Sequence, residues 1–134
     1  MFKVAHAILL VNKKYVLQLR DNKPKLIASG KWSLFGGEIN EGEAPEVGIV
    51  REIKEELCLS LENFRFLWNY ERKNDLGTLT SYFFFEADVT HLWKQHQLME
   101  GQAARCFDFK ELSALDIPPF IQKILFRHHT ENPL

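Results

Sequence analysis

The stretch GEINEGEAPEVGIVREIKEELCL, Gly37–Leu59, decides how this chain is read. Pro45 suits the first turn of a helix, and the apolar spacing carries that helix to Leu57 or Cys58. At about 100° per residue, Val50, Ile53 and Leu57 share one narrow sector. Glu52, Glu55 and Glu56 fall together in another sector, about a quarter turn wide. One segment therefore carries an apolar stripe and an acidic stripe. Bringing two carboxylates to ~4 Å in a partly buried site costs on the order of 4 kcal/mol at an effective dielectric near 20. A divalent cation with a taste for hard oxygen ligands, Mg²⁺ or Mn²⁺, removes that cost. A solvated acidic face with Arg51 and Lys54 as partners is the competing reading.

The residues just upstream favour the cation. Gly36-Gly37 precedes the helix by one short loop, and Glu43 lies near the helix entrance. A double glycine lets backbone approach a ligand closely. A glycine carbonyl, a loop glutamate and three helical glutamates can converge on metal, which is an arrangement for handling phosphate.

Outward from this core, Val4 to Val11 reads as a buried strand, Asn12-Lys13-Lys14 as a turn, and Tyr15 to Arg20 as a second strand. Asp21 to Lys31 is a loop. Trp32 to Phe35 is a brief extended piece ending at Gly36-Gly37. Phe64 to Lys73 alternates, which predicts Phe64, Phe66, Trp68 and Tyr70 on one face. Thr78 to Ala87 is an aromatic-rich strand, and Ala103 to Phe109 another after a long loop. Pro118-Pro119 opens a terminal helix carrying Phe120, Ile121, Ile124 and Leu125. Strands on both sides of a central helix predict a mixed α/β sandwich.

The 134 residues make one ordinary domain, 46% hydrophobic and 26% charged, with a formal net charge of −1. That balance lacks the basic excess of a nucleic-acid binder, so no nucleic acid polymer is expected as a partner. The apolar run near the N-terminus is too short to span a bilayer, so no membrane association is expected. Cys58 and Cys106 form no disulfide framework, which points to a reducing cytoplasm.

Gly37–Leu59 resembles the Nudix box: Gly, five residues, Glu, seven residues, Arg-Glu, an aliphatic, any residue, Glu-Glu, any residue, Gly, an aliphatic. Gly37, Glu43, Arg51, Glu52, Ile53, Glu55, Glu56 and Leu59 fit it. The lead-in WSLFGG and the downstream MEGQAARCFDFKEL, Met99 to Leu112, are similar to the family's approach to the box and to its later acidic loop. Two positions depart. Cys58 stands at the second box glycine, so it must tolerate a strained backbone or the helix must end differently. Phe35 replaces a proline often found before the double glycine.

The resemblance implies a Nudix-type α/β/α sandwich over residues 1–134, with a mixed sheet, a central box helix and a C-terminal helix. It implies Mg²⁺ ligands at Glu52, Glu55 and Glu56, the Gly36 carbonyl as a further ligand, and Arg51 paired with a box carboxylate to hold its rotamer. Glu43 is the partner for that arginine or reaches metal through water. Glu100 resembles the extra acidic residue that some members use as ligand or base, with Glu52 preferred for activating water. Gly36 and Gly37 lie against the substrate. Members are frequently homodimers.

Arg20 ends the second strand where similar proteins place an arginine facing substrate phosphate; an ion pair with Asp21 is the alternative. Trp32, Trp68, Tyr70, Tyr82 and Phe84 are stacking candidates, though aromatics at strand spacing usually belong to the core. His128-His129 reads as an exposed helix end and His6 as a core or sheet residue. Cys106 has no base nearby in sequence, which argues against a nucleophile.

These readings converge on Mg²⁺-dependent hydrolysis of a diphosphate bond in a nucleoside diphosphate derivative. A nucleoside triphosphate, with oxidised or otherwise non-standard ones included, giving the monophosphate and pyrophosphate, is the favoured substrate class. A nucleotide sugar is the alternative substrate, and a non-catalytic nucleotide sensor the alternative class of function.

Overall fold

The computed structural model describes residues 1–24 and 26–132. Seven strands form one mixed sheet: β1 (Phe2–Val11), β2 (Lys14–Leu19), β3 (Trp32–Ser33), β4 (Phe35–Glu38), β5 (Arg65–Lys73), β6 (Leu79–Asp88) and β7 (Ala103–Phe107). Helix α1 (Pro45–Leu57) packs on one face and α2 (Pro119–Glu131) on the other. No described helix is long and apolar enough to cross a membrane.

Period-two alternation assigns the faces. In β1, Ala5, Ala7, Leu9 and Val11 join Ile49, Ile53 and Leu57 of α1, while Ile8 and Leu10 join Ile121, Ile124 and Leu125 of α2. β6 runs parallel to β1 in the same phase. Phe85 and Ala87 face α1, and Tyr82 and Phe84 face α2. Ile49, Ile53 and Leu57 are fully buried, which stabilises the docked helix by about 1.5–3 kcal/mol per side chain.

The hairpin β1–β2 pairs only near its turn, from Leu9↔Val16 to Val11↔Lys14. Beyond that the two strands separate, and Trp32–Glu38 enters the gap. β3 pairs with β2 through Gln18↔Ser33, and β4 pairs with β1 through Val4↔Glu38 to Ala7↔Phe35. Gln18 is buried where they diverge and donates from Nε2 to the Leu34 carbonyl. The extended piece expected to end at Gly36-Gly37 therefore continues through both glycines as β4. Gly36 has φ +145°, and a Cβ there would meet the Ala5 carbonyl oxygen at 2.0 Å, so only glycine lets the wedge close.

Other boundaries also differ from expectation. Phe64, Phe66, Trp68 and Tyr70 do not share a face, because a bulge between Phe66 and Trp68 shifts the register. Phe64 and Phe66 pack edge-on against Phe85, whereas Trp68 and Tyr70 meet Phe84 on the α2 side. The strand expected to reach Phe109 stops at Phe107. There Asp108 caps a 3-10 turn (Phe109–Ala114), its side chain and that of Glu111 bonding reciprocally to backbone N–H groups.

His128 is not part of an exposed helix end. It is fully buried, with Nδ1 2.7 Å from Tyr15 Oη and Nε2 against Glu86 Oε2. Glu86 Oε1 accepts from Arg65 Nε at 2.8 Å, and Arg65 also donates to Asn132. This chain of polar groups fastens α2 to β2, β5 and β6. His129 stacks on Phe109, ring centroids 3.8 Å apart.

Candidate active site

The site grows from the start and end of α1. Ala44, in extended conformation, precedes Pro45 without a side-chain cap. Cys58 ends the helix in the left-handed region (φ 58°, ψ 27°), its N–H bonding to the Lys54 carbonyl. That is the strained outcome of the two expected for a cysteine at a glycine position.

Arg51 is the hub. Its Nε and Nη2 bind both oxygens of Glu43, at 2.8 and 2.9 Å. Nη1 reaches Glu52 Oε1 at 3.0 Å and Glu55 at 3.2 Å, and Nη2 also donates to the Glu38 carbonyl. Glu43 is the arginine's partner, and the hydrogen bonds from Arg51 and the Asn40 amide hold its carboxyl down to about 2. One guanidinium thus ties the loop before the helix, the end of β4 and the acidic stripe together.

The three helical glutamates separate by burial. Glu55 is exposed and touches only Arg51 among the contacts above. Glu56 is 2% exposed, and its Oε1 accepts the Gly36 N–H at 2.9 Å. Burial, then the neighbouring charge of Glu52, outweighs that bond and pushes Glu56 up to about 9, with Glu100 adding to the rise. Glu52 is raised as well, by burial first, against the Arg51 contacts that favour its charge, with Glu55 and Glu100 adding to the rise. Glu100, far away in sequence, is thereby brought to the same carboxylates. The Met99 N–H bonds the Glu56 carbonyl, which anchors its loop beside the helix. Gly37 makes the space: a Cβ there would lie 2.6 Å from the Glu52 carboxyl. Among the described residues, no three His, Cys, Asp or Glu side chains already enclose a metal position.

Across β4, on the α2 face, lies a cavity of about 180 Å³. His6, Arg20, Gly36, Gly37, Tyr82 and Phe120 line it, together with Arg72 and Asp75. Arg20 forms no ion pair with Asp21, which pairs with Lys23 instead. Its Nε is buried without a hydrogen-bond partner, as is Nδ1 of His6. Tyr82 and Phe84 stack beside His6 at 6.1 and 5.7 Å, in a ladder across β1 and β6. Of the stacking candidates only Tyr82 lines the cavity. Trp32 packs on Phe107, Trp68 lies under Arg127, and Tyr70 and Phe84 belong to the aromatic cluster behind the wall. His6, Arg72 and Phe120 were not singled out as ligand-facing from the sequence. The only hint was that His6 shares β1 parity with Val4 and Ile8.

The NUDIX domain family model matches residues 1–127. A search of curated protein sequences found no match. Among solved structures, the MutT protein of Methanosarcina mazei Go1 superposes with a TM-score of 0.84 at 18% identity, covering 99% of this chain and 96% of that one. The NUDIX domain of Shewanella oneidensis NrtR, solved with ADP ribose, gives 0.80 at 15% identity, covering 98% and 88%. The E. coli dihydroneopterin triphosphate pyrophosphohydrolase gives 0.75 at 16%, covering 96% and 95%. At such identities these structures speak to the fold, and the family assignment rests on the domain match spanning nearly the whole chain. The chain belongs to the Nudix family and is a pyrophosphohydrolase of that family.

Proposed function

We propose that residues 1–134 act as one Mg²⁺-dependent unit that hydrolyses a nucleoside triphosphate to the monophosphate and pyrophosphate. The observation that carries this reading is the carboxylate of Glu56, which burial first, then the charge of Glu52 and a smaller contribution from Glu100, push up to about 9. A divalent cation fits that cluster, since its donors are hard carboxylate oxygens and a bound cation would take the place of the Glu56 proton in offsetting their repulsion. Glu52, Glu56 and Glu100 would hold it, with Glu55 and the Gly36 carbonyl as the remaining donors. Bound there, Mg²⁺ would neutralise charge developing on the phosphoryl oxygens; Mn²⁺ would substitute.

The chain's own residues supply the rest. Arg51 holds Glu52 by Oε1, which leaves Oε2 to accept a proton from the attacking water. Gly36 fixes Glu56, and Gly37 keeps the floor flat so that Glu52 and the phosphates can meet. Arg51 touches no substrate in this scheme and acts by positioning. The free thiols Cys58 and Cys106 suit a reducing compartment.

The test is a panel of nucleoside triphosphates, nucleotide sugars, ADP-ribose and dinucleoside polyphosphates, with Mg²⁺ and with EDTA, resolved by anion exchange. Triphosphate cleavage to monophosphate and pyrophosphate that EDTA abolishes is the expected result. Nucleotide binding without turnover of any of them would overturn it in favour of a sensor.

A further inference from the structure

Glu100 stands where electrostatics pushes it away. It is exposed, on a loop outside any helix or strand, yet near enough to Glu52 and Glu56 for its charge to act on both. Like charges at such range repel, so a loose loop would swing this carboxylate out into solvent.

Two clamps oppose that swing. On the helix side, the Gln97 and Met99 N–H groups donate to the Leu57 and Glu56 carbonyls at 3.0 and 2.9 Å. Leu98, between them, packs against the α1-side core. On the sheet side, the Gln102 N–H donates to the Leu19 carbonyl at 2.7 Å, and its Nε2 donates to the Arg20 carbonyl at 2.8 Å. The β7 ladder starts one residue later, at Ala103↔Leu19, so the Gln102 side chain carries the attachment past the ladder's end. Only Glu100 and Gly101 lie between the clamps. Gly101 turns the chain with φ +83°, and a Cβ on it would stand 2.9 Å from the Leu19 carbonyl oxygen and 3.1 Å from Gln18 Oε1. Gln18 is itself buried and bonded to the Leu34 carbonyl, so neither neighbour has room to retreat.

From this geometry we infer that Gln102, acting through the tight turn at Gly101, is a positioning residue that holds Glu100 on the carboxylate cluster and so raises its affinity for a divalent cation. The residue type suits the task. A carboxamide donates to a carbonyl without carrying charge, whereas a lysine there would draw Glu100 to itself and a glutamate would add repulsion. Gln102 touches neither cation nor substrate. The inference rests on the cation reading above.

The experiment is calorimetric titration of Mn²⁺ into the metal-free protein, arranged as a double-mutant cycle with Glu100. Gln102→Met keeps the side chain's length and removes its donor. It should weaken Mn²⁺ binding about 2- to 12-fold, the span of one neutral hydrogen bond. Gly101→Ala, checked for folding by circular dichroism, should weaken it about 10- to 100-fold. In a Glu100→Gln background each change should alter affinity by less than about twofold, because the carboxylate they place is gone. A merely structural role would leave the cycle additive. Full affinity in Gln102→Met or in Glu100→Gln, equal losses in both backgrounds, or a wild type without measurable Mn²⁺ affinity would overturn the assignment. A protein that binds Mn²⁺ in the expected pattern but cleaves no nucleotide would defeat the hydrolytic reading and leave this one standing. One that cleaves nucleotides while its Mn²⁺ affinity ignores both substitutions would do the reverse.

Discussion

The carboxylate cluster beside α1 and the Tyr15–His128–Glu86–Arg65 chain beneath α2 are both polar constellations held against the same sheet, one on each face. In the second, each group answers the next. Burial alone would raise Glu86, yet the hydrogen bonds from Arg65 and His128 outweigh it and hold the carboxyl below its usual range. Burial and the charge of Glu86 push the Tyr15 hydroxyl up, so it stays neutral. In the first, Arg51 satisfies Glu43 fully and Glu52 by one oxygen, while Glu56 is left buried with like charges beside it. A network that closes on itself locks a helix in place. A network left open on one side stores repulsion that an added cation can release.

Removing the crowded carboxylate should break this contrast most visibly. Glu56→Gln should lower kcat/KM by at least about 100-fold, beyond the range typical of losing a residue that merely supports a metal ligand. The same change should leave the metal-free protein at least as stable near pH 8, which thermal unfolding in EDTA would show. The pH dependence has a definite sign. Glu56 has a folded value near 9 against an ordinary 4.5. Below 4.5 both states hold the proton; above it the unfolded chain releases its proton while the folded one keeps it. Metal-free stability from this group therefore declines as pH rises from about 4.5 to about 9, then levels off. Stabilisation by Mg²⁺ should be largest at the alkaline end, and a Tm shift that shrinks with rising pH would contradict the reading.

Next in size, His128→Ala should cost about 2–4 kcal/mol in urea unfolding, since it leaves Tyr15 and Glu86 without their shared partner. The Mg²⁺ concentration for half-maximal activity should stay put, because this network lies on the other face of the sheet. Arg51→Ala comes third. It should lower activity about 10- to 100-fold by freeing Glu52 and Glu43. Its signature is a rise in the Mg²⁺ requirement, which a purely structural lesion would not produce. Smallest is Cys58→Gly, which should stabilise by about 1 kcal/mol by relieving the left-handed backbone, with kcat unchanged. A destabilised variant would mean that the Cys58 side chain contributes packing that outweighs its backbone strain.

The sequence alone carried the box spacing, the bounds of α1, the apolar stripe of Ile53 and Leu57, and the choice at Cys58 between a strained backbone and a different helix end. All are local properties, set by helical periodicity and by steric limits on one residue. Tertiary structure decided what separated Glu55 from Glu56, since two neighbours in one acidic stripe differ only in what the sheet places against them. It also decided the change of face at Leu67, because a bulge depends on the partner strand and not on the alternation it interrupts. The burial of His128 required α2 to meet β2 and β6 from more than forty residues away. That His6 and Arg20 line one cavity required β1 and β2 to diverge around Trp32–Glu38. Periodicity shows which residues face inward, but only strand register and packing settle which of them meet.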